Sequence, residues 1–252
     1  MKLKVYWMTG LLSLLLLSLG VQAMSISNLM LVNSEIKDGK AGVFTLTNSD
    51  DITYFLKTSV SKVEVKDNQI IKTPYTRDNL EQWEIVPKPS KLVVEPRMMK
   101  ELMIEEVCGE RCRSDYDRIY QINIIPVSYE VEGETQSKVN MLFGFAPYYV
   151  IPAKESHVRY HLDYDGETLN VKNSGNTLIN LVIDQCSTKT DEELKALHAD
   201  KNKRCRVTYS VIAGRERQFV IPEELRADQL TVVVLNHDES FREENTLRGT
   251  SS

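Results

Sequence analysis

From residue 24 onward, apolar and polar residues alternate with period two in short runs rich in β-branched and aromatic side chains, broken by polar turn sequences. That periodicity places successive side chains on opposite faces of a strand, so it predicts antiparallel sheets with one face buried. The first runs are Ile26 to Val32, Gly42 to Asn48 and Thr53 to Val65, separated by Lys37-Asp38-Gly39-Lys40 and Asn48-Ser49-Asp50-Asp51. Trp83 to Val86, Lys91 to Val94, Glu101 to Val107, Arg118 to Glu130 and Lys138 to Ile151 follow, enough strands for one sandwich.

After Ile151-Pro152-Ala153-Lys154-Glu155-Ser156 the pattern stays β but becomes more polar, which places a domain boundary there. His157 to Asp163, Thr168 to Asn173, Leu178 to Asp184, Arg206 to Ile212, Gln218 to Ile221 and Leu230 to Asn236 then predict a second, smaller sandwich, with turns at Asp165-Gly166 and Ser174-Gly175-Asn176. One helix is predicted, Asp191 to Asp200, with Thr190 as N-cap and three acidic residues in its first turn. The resulting division is a leader at 1–23, domains at 24–152 and 153–237, and a flexible polar tail at 238–252 with only Phe241 and Leu247 to bury.

The leader follows from Lys2 and Lys4 ahead of an apolar run, Leu11 to Leu19, and the small residues of Val21-Gln22-Ala23. The run is too short for a membrane span, which needs roughly 20 residues, so an exported chain beginning at Met24 without stable membrane insertion is expected. Of 31 basic and 36 acidic residues, losing Lys2 and Lys4 leaves a formal charge of −7, which argues against nucleic acid as a partner. In an oxidising compartment the four cysteines are expected to pair by spacing, Cys108 with Cys112 and Cys186 with Cys205. Arg111 and Arg113 would favour a reactive thiol at the first pair, but a tight staple is the preferred reading over a redox site. The four histidines are scattered and give no metal-ligand spacing with the cysteines, so neither metal nor cofactor is expected. No GxSxG, HExxH, P-loop or dinucleotide fingerprint occurs, and the chain is read as not an enzyme.

The segment from Lys138 to Pro152 is unusually long and apolar for a strand. Val139, Met141, Phe143 and Phe145 share one face, while Asn140, Leu142, Gly144 and Ala146 on the other are smaller or mixed. At a sheet edge such a row is an aggregation hazard unless a partner pairs with it. With the leader, the pair formed by Asp117 to Pro126 and Lys138 to Pro152, and the pattern Leu169-Asn170-Val171-Lys172-Asn173-Ser174-Gly175-Asn176, the chain resembles periplasmic chaperones of the chaperone/usher pathway. The Asn-Ser-Gly-Asn turn and the Cys186/Cys205 loop bring it nearer the class 5 and common-pilus members of that family.

The resemblance implies an all-β pair of immunoglobulin-like sandwiches in a boomerang arrangement. It also implies a periplasmic protein that lends Val139, Met141, Phe143 and Phe145 to fimbrial (pilin) subunits and delivers them to an outer-membrane usher. Self-association of the free protein is a further way to cover the strand. The family's basic pair for the subunit carboxylate has no counterpart here: residues 25–32 contain no arginine, and Pro147 stands where the lysine belongs. Arg118 and Lys154 are the replacements the sequence offers. The alternative is an exported adhesin or pilus subunit. It is disfavoured because the expected mature chain enters its first strand at once, without a donor extension.

Overall fold

The structure is a computed structural model that describes residues 24–33, 42–112, 115–127, 143–192, 195 and 203–249. In chain order the strands are β1 (Met24–Ile26), β2 (Met30–Val32), β3 (Val43–Asn48), β4 (Tyr54–Lys66), β5 (Gln69–Pro74), β6 (Ile85–Lys88), β7 (Lys91–Val94), β8 (Met99–Glu106), β9 (Arg118–Val127) and β10 (Tyr148–Ile151). They continue as β11 (Tyr160–Tyr164), β12 (Thr168–Asn173), β13 (Ile179–Asp184), β14 (Arg206–Val211), β15 (Glu216–Val220), β16 (Gln229–Leu235) and β17 (Arg242–Arg248). Sheet order β1-β3-β8-β6 faces β2-β10-β9-β4-β5, with β7 also paired to β4, and β11-β12-β15 faces β14-β13-β16-β17. The protein is therefore all-β, in two sandwiches of immunoglobulin type.

Period two sets what each sandwich buries. In β3, Phe44, Leu46 and Asn48 point inward and are fully buried, and they meet Leu102 and Ile104 of β8 and Tyr120, Ile122 and Ile124 of β9 in the first core. The buried amide of Asn48 is satisfied: Nδ2 donates to the carbonyls of Ile52, Val94 and Glu95, and Oδ1 accepts the Asp50 N–H. Leu169, Val171, Ile179, Leu181, Leu230, Val232 and Val234 build the second core. A third cluster, Val63, Ile119 and Val150 with Met30, Tyr148 and Ile212, lies between the sandwiches on the outer face of the larger sheet.

Four elements depart from the sequence reading. The run from Ile26 to Val32 is two strands: β1 pairs antiparallel with β3, and the chain crosses at Ser27–Leu29 so that β2 pairs parallel with β10 in the opposite sheet. Alternation within one run cannot show which sheet each half joins. The hairpin partner β5 was not anticipated; it follows a two-residue turn, Asp67-Asn68, both with positive φ (51° and 61°), a conformation these residues tolerate and tight hairpins require.

The polar tail is a correction. Residues 242–248 of the expected flexible 238–252 form β17, paired along seven positions with β16. Phe241 and Leu247 pack on the second core, and Tyr160 Oη donates to Glu243 (2.8 Å) while accepting from Asn245 Nδ2 (2.8 Å). A strand covered on one face needs few apolar residues, so charge on the other face hid it. Of the predicted helix, Asp191, Glu192 and Lys195 are helical and the remainder lies outside the described residues.

Cys186 is bonded to Cys205 just beyond the last rung of β13 and β14, where Arg206 pairs with the Asp184 carboxylate and the Gln185 N–H donates to the Cys205 carbonyl. Closing a loop of this length constrains the unfolded chain by roughly 3 kcal/mol. The Cys186→Ser, Cys205→Ser double variant is therefore expected to lose about 2–4 kcal/mol in urea unfolding while keeping its β-sheet circular dichroism. A loss below about 0.5 kcal/mol would show that the ladder and ion pair hold the loop alone.

Candidate functional site

The apolar segment ahead of the second sandwich is bonded to β9, but not as one long strand. The ladder runs through Tyr148–Ile151, stops at Pro147, which has no N–H to give, and resumes as a single bridge in which Phe145 and Ile124 exchange both backbone bonds (2.9 and 2.8 Å). Pro147 still accepts the Ile122 N–H at 2.9 Å. Gly144 is required by close approach, since a Cβ there would sit 2.9 Å from the Ile124 carbonyl oxygen. On the other edge, β2 covers only Tyr148–Val150. Among the described residues no strand pairs with that edge of 143–147.

Two residues of the predicted row are thereby placed. Phe145 is half-buried and packs on the first core, whereas Phe143 is 71% exposed. Val139 and Met141 lie outside the described residues. Nearby on β9, Ile125 (53%) and Val127 (43%) also face solvent.

The cleft between the sandwiches holds the second group of residues. One pocket of it, of about 160 Å³, has an apolar floor of Met30, Ile70, Ile119, Tyr148 and Ile212, and a second, of about 430 Å³, is lined by Lys62, Arg118, Ile119, Gly175 and Gly214. Arg215 and Arg217 line the wall of the first, and the Lys72 ammonium stands 6.0 Å from the Tyr148 ring centroid. The sequence reading missed these cations. Arg215 and Arg217 are two apart and so share a face, but nothing in the spacing says that this face looks across at β2 and β10.

The two predicted basic residues are not brought together. Arg118, with a side chain only 11% exposed, donates Nη2 to Glu106 (3.1 Å) and Nη1 to the Cys108 sulfur (3.4 Å), so its fork is already engaged. Desolvation works against its charge, but Tyr120 and Glu106 outweigh this and hold its pKa above the ordinary value. Lys154 lies at a separate recess beside Asp115, Glu155 and His157. Cys108 and Cys112 are bonded to each other and both sulfurs lie beside Glu106. With no thiolate to offer, that cluster is not a metal-ligand set.

Behind Arg118 a polar network lies part-buried in the first sandwich. Glu84 accepts from Lys62 Nζ (2.5 Å) and from the hydroxyl of Tyr120, which is fully buried, while the Glu84 N–H donates to Tyr75 Oη (3.0 Å). Tyr75 stacks on Trp83 at 5.3 Å, and burial pushes its hydroxyl up to about 12. Burial alone would raise the Glu84 pKa; the bonds from Lys62 and Tyr120 and the charges of Lys62 and Arg118 prevail and lower it.

Comparison with solved structures gives the same two-sandwich fold in fimbrial chaperones. Along 89% of its length the chain superposes on 96% of a chain from the complex of Salmonella enterica SafA pilin with the SafB chaperone, at 14% identity and a TM-score of 0.52. It also superposes on 99% of the class 5 fimbriae chaperone CfaA, at 10% identity and a TM-score of 0.50 over 89% of its own length. Residues 30–152 match the family described as CS5 fimbrial protein N-terminal domain. A relative in Escherichia coli, described as an uncharacterized 25.9 kDa protein in the CS5 3′ region, is 23% identical over 210 residues, 75% of this chain and 90% of that protein.

Proposed function

We propose that the protein is a periplasmic chaperone that holds fimbrial subunits by lending them the apolar row Val139, Met141, Phe143 and Phe145 and passes them to an outer-membrane usher. The observation that carries this reading is Phe143: a large apolar side chain 71% exposed, on a segment bonded to β9 along one edge. An incomplete sandwich lacking one strand accepts alternate apolar side chains into its groove, while the backbone ladder supplies affinity that does not depend on sequence. Val139, Met141, Phe143 and Phe145 are the proposed row. Burying four such side chains contributes roughly 6–12 kcal/mol gross, before ordering costs. No helix among the described residues is long and apolar enough to cross a membrane.

The same reading needs a group for the subunit's terminal carboxylate, and the cleft supplies candidates. Arg118 and Lys154 are those read from the sequence. Arg217 is preferred, because it lines the cleft beside Met30 and Tyr148 while Arg118 is bonded to Glu106. The domain limits at 152 and 153 and the pairing with an usher belong to the proposal as well.

The test is co-expression in the periplasm with a fimbrial subunit from the same source and purification through a tag on this chain. A stoichiometric complex is expected. Arg217→Ala should reduce its recovery about tenfold or more, the scale of one lost charge-assisted bond. If Arg118→Ala or Lys154→Ala has that effect and Arg217→Ala has none, the anchor lies with them. Subunit that remains soluble without this protein, and never co-purifies with it, would rule out the chaperone role and leave the adhesin alternative.

A further inference from the structure

The turn Asn173-Ser174-Gly175-Asn176 does more than reverse the chain between β12 and β13. The Asp117 carboxylate, one residue ahead of β9, accepts the Ala153 N–H at Oδ1 (2.9 Å) and, at Oδ2, the Leu178 N–H (2.6 Å) and the Thr177 hydroxyl (3.2 Å). The Asp117 N–H donates to the Asn176 carbonyl (3.0 Å). Asn176 in turn donates Nδ2 to the carbonyls of Asp115 (2.7 Å) and Glu155 (2.8 Å), and its Oδ1 accepts the His157 N–H (2.6 Å). Two side chains thus stitch together the start of β9, the linker after β10 and the turn of the second sandwich. Thr177 and Leu178 are essentially buried there. Gly175 admits no side chain, since a Cβ would stand 2.4 Å from the His157 carbonyl oxygen.

The turn is also tied to the cleft wall. Asn173, almost wholly buried, donates Nδ2 to the carbonyls of Thr177 (2.8 Å) and Val211 (2.9 Å), and its backbone exchanges bonds with Gly214 and Arg215 at 2.9 Å each. Across the cleft the tip of the β4–β5 hairpin touches the same loop, Asn68 accepting from the Arg215 guanidinium and from the Glu216 N–H (2.8 Å). Of the bonds that cross between the sandwiches, those of Asp117 and Asn176 are part-buried and multiple whereas those of Asn68 are exposed, and hydrogen bonds sheltered from water hold geometry best.

We infer that Asp117 and the Asn173–Asn176 turn are the joint that fixes the angle between the sandwiches, and so position the Arg215–Arg217 wall against Met30 and Tyr148. Asp117 and Asn176 are positioning residues that touch no subunit. The consequence for capture rests on the chaperone reading; the geometric claim does not.

The test compares the exported chain with its Asp117→Ala, Asp117→Asn and Asn176→Ala variants by NMR residual dipolar couplings and small-angle scattering. Asp117→Asn keeps the shape of the side chain but sets an amide donor against either the Ala153 N–H or the Leu178 N–H and Thr177 hydroxyl, so it probes the joint if the alanine variants fold poorly. The expected result is native amide shifts within each sandwich, alignment tensors that no longer agree between them, and a broadened scattering profile. Recovery of the subunit complex should fall about tenfold, equivalent to about 1.4 kcal/mol. One shared tensor in all three variants would overturn the inference, as would an angle that changes in Asn68→Ala but in none of them. If the unaltered protein captures no subunit while the tensors still diverge, the chaperone reading fails and the joint stands.

Discussion

Replacing Phe143 with glutamate is expected to leave the fold intact and reduce recovery of the subunit complex about a hundredfold or more. Because Phe143 is 71% exposed, its replacement should change unfolding free energy by no more than about 0.5 kcal/mol. In a subunit groove the same change forfeits roughly 1.5–3 kcal/mol of apolar burial and forces a carboxylate out of water. Together these exceed the roughly 2.7 kcal/mol that corresponds to a hundredfold. The neighbouring Phe145 provides the contrast. It packs on the first core, so Phe145→Glu should lower both stability and capture. Urea unfolding monitored beside co-purification separates the two, and full capture by Phe143→Glu would remove this segment from the binding edge.

A large effect on stability is expected at Glu84. Its removal as Glu84→Ala strands the fully buried Tyr120 hydroxyl and the Lys62 ammonium 2.5 Å from where the carboxylate stood. Unpairing partners in so sheltered a site costs roughly 2–4 kcal/mol, measurable as a shifted urea midpoint. The pH dependence has a definite sign. The folded-state pKa of Glu84 lies below its ordinary value of 4.5, because the bonds from Lys62 and Tyr120 and the charges of Lys62 and Arg118 overcome burial. The ionised carboxylate therefore stabilises the fold above the unfolded-state pKa, and that contribution is lost as pH falls through the folded one. Asp184, held below the ordinary carboxylate range by Arg206, acts in the same direction, so the contribution of Glu84 must be taken as a difference. Between about pH 5 and pH 3 the unaltered protein should lose more stability than Glu84→Gln, which has no carboxyl proton to bind at that position. Parallel decline in both would show that Glu84 is not the group that titrates.

The candidate site was legible in part. Alternation from Val139 to Phe145 identified the apolar row before any fold was known, since period two is a local property of the chain. Which members face solvent is a different matter: Phe143 and Phe145 look alike in sequence, and their separation depends on the distance of each from the first core. The anchor was least legible. Charge near the domain boundary points to Arg118 and Lys154; Glu106, twelve positions before Arg118, engages its guanidinium, and further cations of the cleft stand at Lys72, Arg215 and Arg217. β17 was overlooked for a related reason, as its pairing with β16 is supplied by the backbone, which every sequence possesses.

By itself the sequence determined the all-β class, the number of sandwiches and the pairing of Cys186 with Cys205, because each follows from periodicity or spacing along the chain. The tertiary structure decided the crossing from β1 to β2, the engagement of Arg118, the cleft wall of Arg215 and Arg217, and the joint at Asp117 and Asn176. Those depend on contacts between segments separated along the chain, whose free energies appear only when the sheets are packed and water has been excluded between them.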